Sequence, residues 1–179
     1  MLISNNILDN AKLVESPNYS ERVDESDIRL LVIHCISLPP KIYGNSYIED
    51  FFCNKLSTSD HEYFKKIKDL KVSSHILIKR SGEIIQFVPF DKKAWHAGLS
   101  RYKNEDNCNE FSVGIELEGH HTEKYTDHQY KSLIEASKAL LNKYKYLNKN
   151  NIVGHSDISP DRKEDPGKNF EWDFYLERL

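Results

Sequence analysis

Arg29-Leu30-Leu31-Val32-Ile33-His34-Cys35-Ile36 is a short, nearly unbroken apolar run rich in branched side chains, and Ser37-Leu38-Pro39-Pro40 stops it. Such a run suits a strand covered on both faces, which puts it inside a sheet. Helical spacing follows. Ile48, Phe51, Phe52 and Leu56, then Tyr63, Phe64, Ile67 and Leu70, predict two short helices. His75 to Arg80 and Glu83 to Val88 flank Ser81-Gly82 and predict a β-hairpin, ended by Pro89.

Further along, Phe111, Val113, Ile115 and Leu117 alternate with Ser112, Gly114, Glu116 and Glu118. Both carboxylates therefore project from one face of a strand. Thr126-x-x-Gln129 reads as a capping box, and Tyr130, Leu133, Ile134, Ser137, Leu140, Leu141 and Tyr144 as the buried stripe behind it. A short strand around Ile152-Val153 leads into Gly154-His155, then a polar loop from Ser156 to Asn169 and an aromatic tail with Phe170, Trp172, Phe174 and Tyr175. Upstream, residues 1–27 are polar, contain Ser16-Pro17-Asn18 and are expected to wrap the surface as a loop. The expectation is one α/β (α+β) domain over 1–179, with a central mixed sheet flanked by helices.

The 179 residues suffice for one buried core. With 25 Lys and Arg against 28 Asp and Glu, the net charge is −3, which offers nucleic acid no global attraction. Apolar residues at 39% and charged residues at 30% mark a globule rather than a disordered chain. No run nears the roughly 18 apolar residues of a membrane span. Met1 to Lys12 lacks a basic start leading into an apolar stretch, so no secretory leader is expected. Cys35, Cys53 and Cys108 are odd in number and lack CxxC spacing, so no disulfide framework is expected either. The expected compartment is the cytoplasm.

His34 in a central strand is either a hydrogen-bonded core histidine or a metal ligand fixed by a rigid element. His155 opens a loop of turn formers, and a metal bridging it to Asp165 would anchor that loop. His34, His155 and Asp165 together would leave a fourth metal position open, as catalytic sites do. Their spacing carries no local signature, so the trio is one of several possible. Glu116 or Glu118 is a general-base candidate, or both are exposed carboxylates on an edge strand. Lys163 is an oxyanion donor or a surface lysine. Trp95-His96-Ala97-Gly98 either lines a groove for a sugar or places Trp95 in the core. His61, His120, His121 and His128 read as surface or capping residues.

Several ordered motifs add a further reading. They are Leu31-Val32-Ile33-His34, Val72-Ser73-Ser74-His75, Val88-Pro89-Phe90-Asp91, Ala94-Trp95-His96-Ala97-Gly98, Cys108-Asn109, Gly114-Ile115-Glu116-Leu117-Glu118-Gly119, Gly154-His155-Ser156-Asp157-Ile158 and Lys163-x-Asp165-Pro166-Gly167. With them the chain resembles the AmpD-type N-acetylmuramoyl-L-alanine amidases, from about Ser16 onward. The resemblance implies the fold of peptidoglycan recognition proteins and one Zn2+ held by His34, His155 and Asp165. It also implies a general base at Glu116, an oxyanion donor at Lys163 and substrate contacts at Lys71, Trp95, His96, Asn107 and Arg162. The implied partner is a small anhydro-muropeptide, cut between muramic acid and L-alanine during cell-wall recycling. No nucleic-acid or membrane partner is implied, and the expected enzyme is monomeric. In some bacteria that metabolite signals to a β-lactamase regulator, so an indirect effect on β-lactamase induction is implied as well. The chain departs from the family pattern in Cys35 after His34, where the family shows Asn, and in Lys71 and Asn107, where it often shows Arg. The alternatives are a non-catalytic wall-fragment binder and a broader wall amidase.

Overall fold

A computed structural model describes residues 1–179. Its frame is a six-stranded sheet of β1 (Lys12–Leu13), β2 (Leu30–Ile36), β3 (Ile76–Ile78), β4 (Ile84–Gln86), β5 (Ser112–Glu118) and β6 (Ile152–Gly154), in spatial order β6-β2-β5-β3-β4-β1. β2 runs parallel to both β6 and β5, and β5 runs parallel to β3. β3 and β4 form the expected antiparallel hairpin. The helices are α1 (Tyr47–Phe52), α2 (Phe64–Ile67), α3 (Asp127–Lys143), α4 (His155–Ile158) and α5 (Trp172–Leu176). None is long and apolar enough to cross a membrane.

Period-two alternation sorts the two faces of the sheet. Leu31 and Ile33 of β2, with Val113, Ile115 and Leu117 of β5, pack against Tyr130, Leu133, Ala136 and Leu140 of α3 and Tyr175 of α5. Each fully buried leucine there contributes about 1.5–3 kcal/mol. Leu30 and Val32 turn the other way, onto Ala97, Cys108, Phe111 and Ile158. Beside them Leu77 and Ile85 meet Ile48, Phe52 and Phe64 of α1 and α2. His34 and Glu116 belong to this second face and stand opposite each other in the β2–β5 register.

α3 starts as its sequence demands. Gln129 N donates to Thr126 Oγ1 and Thr126 N donates to Gln129 Oε1, both at 3.1 Å. Three expectations need correction. Residues 1–27 are not only a surface loop: Lys12–Leu13 adds an edge strand beside β4, and Tyr19–Glu21 pairs with Lys92–Ala94. Buried Arg22 donates to the carbonyls of Phe90, Asn109, Glu110 and Ser112, which ties this segment to the start of β5. Second, the strand bearing Glu116 and Glu118 is interior, and all of its residues are buried. Third, His155 begins a short helix rather than a loop, and the aromatic tail holds another, α5.

Candidate metal centre and active-site cleft

The carboxyl ends of three parallel strands meet at one place. β2 delivers His34, β5 delivers Glu116, and β6 runs straight into α4, whose first residue is His155. Open α/β sheets bind ligands beyond these ends. The chain after α4 folds back to bring Asp165 alongside. Ser156 N donates to the Asp165 carbonyl at 3.0 Å, and Tyr125 Oη donates to the Pro166 carbonyl at 2.7 Å. Gly167 permits the return: its φ is +90°, and a Cβ there would lie 1.9 Å from the His121 carbonyl oxygen.

His34 Nδ1 lies 2.9 Å from His155 Nδ1, while Asp165 Oδ2 stands 3.3 Å from the first and 3.1 Å from the second. His155 Nε2 faces the Ala97 carbonyl at 3.0 Å. A carbonyl only accepts, so Nε2 holds the proton and Nδ1 presents its lone pair. Burial, then the charge of His155, push His34 down to about 4, so its ring is neutral near pH 7. A dry triangle of lone pairs is repulsive alone, and a cation relieves it. Donors on one tetrahedral ion at about 2.0–2.2 Å stand roughly 3.3–3.6 Å apart, slightly wider than the distances here. The residues present therefore fit a metal ion, to which they could offer three donor atoms.

Glu116 is buried beside this triangle, and its Oε2 has no hydrogen-bond partner. Burial first, and the Asp165 charge second, raise its carboxyl well above the usual range. Glu118 is different, because Gly44 N and Arg80 N donate to it at 2.7 and 3.0 Å. Two carboxylates that alternation alone left equivalent are thus separated by their partners: one holds backbone, the other is unpaired.

A cleft of about 400 Å³ opens over the site, within the usual range for ligand pockets. Lys163, Glu116, His155 and Asp165 form its polar side, and Leu38, Phe51, Phe52 and Tyr63 part of its apolar wall. Of the anticipated substrate contacts, Trp95 and Arg162 line it, although Arg162 Nη2 also donates to the Ala97 and Leu99 carbonyls at 2.6 and 2.9 Å. His96 touches the cleft, but its ring nitrogens face His34 Nε2 at 2.9 Å and Ser112 Oγ at 3.1 Å. Lys71 is exposed outside the lining, and Asn107 borders a separate depression with Gly98, Leu99 and Ser100. His120 and His121, expected as surface or capping residues, are partly exposed and also line the cleft, and His120 Nδ1 accepts from Thr122 N at 3.3 Å. The available signal was their place directly after Glu118-Gly119, at the carboxyl end of a parallel strand.

Gly114 carries the His96 ring on its face of β5, and a Cβ there would lie 2.5 Å from His96 Cγ. Gly114→Ala is expected to destabilise the fold by about 1–3 kcal/mol through overpacking. Urea unfolding measures it, and an unchanged midpoint would refute the close approach.

A mixed α/β domain whose donor triangle and buried carboxyl share one cleft has the layout of a hydrolase. The chain belongs to the N-acetylmuramoyl-L-alanine amidase family, whose model matches residues 24–168. The 1,6-anhydro-N-acetylmuramyl-L-alanine amidase AmpD of Haemophilus influenzae is 46% identical, over 97% of this chain and 95% of its own. A crystal structure of a selenomethionine AmpD derivative, also 46% identical, superposes with a TM-score of 0.97 over 100% of this chain and 99% of its own. The amidase AmiD of Escherichia coli, solved with anhydro-N-acetylmuramic acid-L-Ala-D-γ-Glu-L-Lys, is 29% identical with a TM-score of 0.63, covering 85% of this chain and 57% of its own.

Proposed function

We propose that this chain is a zinc amidase that hydrolyses the bond between the lactyl group of 1,6-anhydro-N-acetylmuramic acid and L-alanine in muropeptides, in the cytoplasm. The observation that carries the reading is the convergence of two imidazole lone pairs and a carboxylate beside the unpartnered Glu116. A zinc ion held by His34, His155 and Asp165 would supply Lewis acidity to the scissile carbonyl and acidify a water. Glu116 takes the proton from the attacking water, and its raised proton affinity suits it to hold that proton and pass it to the leaving amine. Lys163 donates to the developing oxyanion from the same side of the cleft. Trp95 offers an aromatic face to the sugar, its Nε1 already donating to Ser20 Oγ at 3.1 Å. The names of the similar enzymes support the substrate.

The purified protein is to be incubated with anhydro-muramoyl-tripeptide untreated, after chelation and after zinc restoration, with products followed by mass spectrometry. Free peptide should appear, vanish on chelation and return with zinc. Chelator-resistant cleavage would remove the metal from the reading. No cleavage by folded, zinc-loaded protein would favour a fragment-binding module.

A further inference from the structure

A backbone carbonyl sets a proton order that reaches the donor triangle. Ser112 Oγ donates to the Cys108 carbonyl at 2.5 Å. With its only proton committed there, Ser112 Oγ accepts from His96 Nε2, 3.1 Å away. The lone pair of His96 is then on Nδ1, which stands 2.9 Å from His34 Nε2. That contact needs a proton on His34 Nε2, which leaves Nδ1 of the same ring bare and facing His155 and Asp165. All three side chains are buried, so water does not compete for these groups.

His96 is itself held firmly. Asn109 Oδ1 accepts from His96 N at 3.1 Å and from Ala97 N at 2.8 Å. One carboxamide thus fixes two adjacent residues, one touching His34 through its ring and the other touching His155 through its carbonyl.

We propose that His96 is a positioning residue: its Nδ1 accepts the His34 Nε2 proton and holds His34 in the tautomer that presents Nδ1 to the metal. The inference rests on reading the triangle as a zinc site, and it adds that the tautomers of both imidazoles are set from Trp95–Asn109, a segment that supplies no ligand. It also reassigns His96 from substrate contact to support of a ligand. Outer partners of ligating histidines act in this way in general.

The test compares His96→Leu, which removes the acceptor, with His96→Asn, whose carboxamide oxygen can take the place of Nδ1. Zinc dissociation constants come from competition with a chromophoric chelator. Leucine should weaken zinc by about 10- to 100-fold, and asparagine should recover most of that loss. In the zinc-loaded protein, NMR should show a slowly exchanging His34 Nε2 proton in wild type and His96→Asn, and lose it in His96→Leu. Unchanged affinity in folded His96→Leu overturns the proposal. Equal weakening by Leu and Asn overturns it too, because packing alone would then explain the loss. Should His96→Leu fail to fold, Ser112→Ala asks the same question one bond further out, and unchanged affinity there counts against the proton order. A wild type that binds no zinc defeats the underlying reading instead, so the two failures are distinguishable.

Discussion

Glu116→Gln should lower kcat about a thousandfold, within the range for loss of a general base, while zinc binds with nearly wild-type affinity. Glutamine keeps the shape of the side chain and the packing of β5 but cannot take a proton from water. Glu116 is not one of the three convergent donors, so metal content should be preserved. Stability should move in the opposite direction to activity. The folded-state carboxyl is raised, so its contribution to stability is present at acidic pH and is lost as pH climbs through the raised value. Between acidic pH and pH 8 the metal-free wild type should therefore lose stability that the glutamine variant, which does not titrate, keeps, and at acidic pH the two proteins should converge. Turnover, metal content and urea midpoints at both pH values check all three statements. Turnover within about tenfold of wild type would place the base elsewhere, since loss of such a group costs 100-fold or more.

Most of the sheet was readable because its strands obey local rules. The apolar run of β2 and the alternation of β5 each name their own faces, and the same alternation puts Cys35 with the α3 side and His34 with the other. The Thr126 cap was equally local. What stayed hidden depends on long-range pairing. Lys12–Leu13 carries no strand signal of its own and becomes one only because β4 offers it an edge. Alternation placed Glu116 and Glu118 on one face but said nothing of Gly44 and Arg80, 74 and 38 residues away, whose amides engage only Glu118. His96 shows the same limit. A histidine after a tryptophan reads as part of a sugar groove, and only a contact 62 residues away turns it inward to His34. Lys71 and Asn107 entered as candidates through family resemblance, and the cleft lining includes neither.

His155→Ala should abolish zinc binding at micromolar metal and take the activity with it. Loss of an outer partner of a ligand typically costs 10–100-fold in metal affinity, and removing one of three protein ligands should exceed that. The sharper signature is in stability. A ligand present at about 1,000 times its dissociation constant stabilises the fold by about 4 kcal/mol, so wild type should show a large upward shift of Tm on adding zinc. His155→Ala should show almost none. Without metal the ranking should narrow, because the substitution also removes one of two nitrogen lone pairs held 2.9 Å apart in a buried site. That relief offsets part of the cavity left by a buried ring. The Ala97 carbonyl keeps Arg162 as a donor at 2.6 Å, so no acceptor is orphaned. The expected pattern is a stability gap that is small in chelator and widens when zinc is added. A zinc-dependent Tm shift of wild-type size in His155→Ala would take this residue out of the metal site and leave His34 and Asp165 without their third partner.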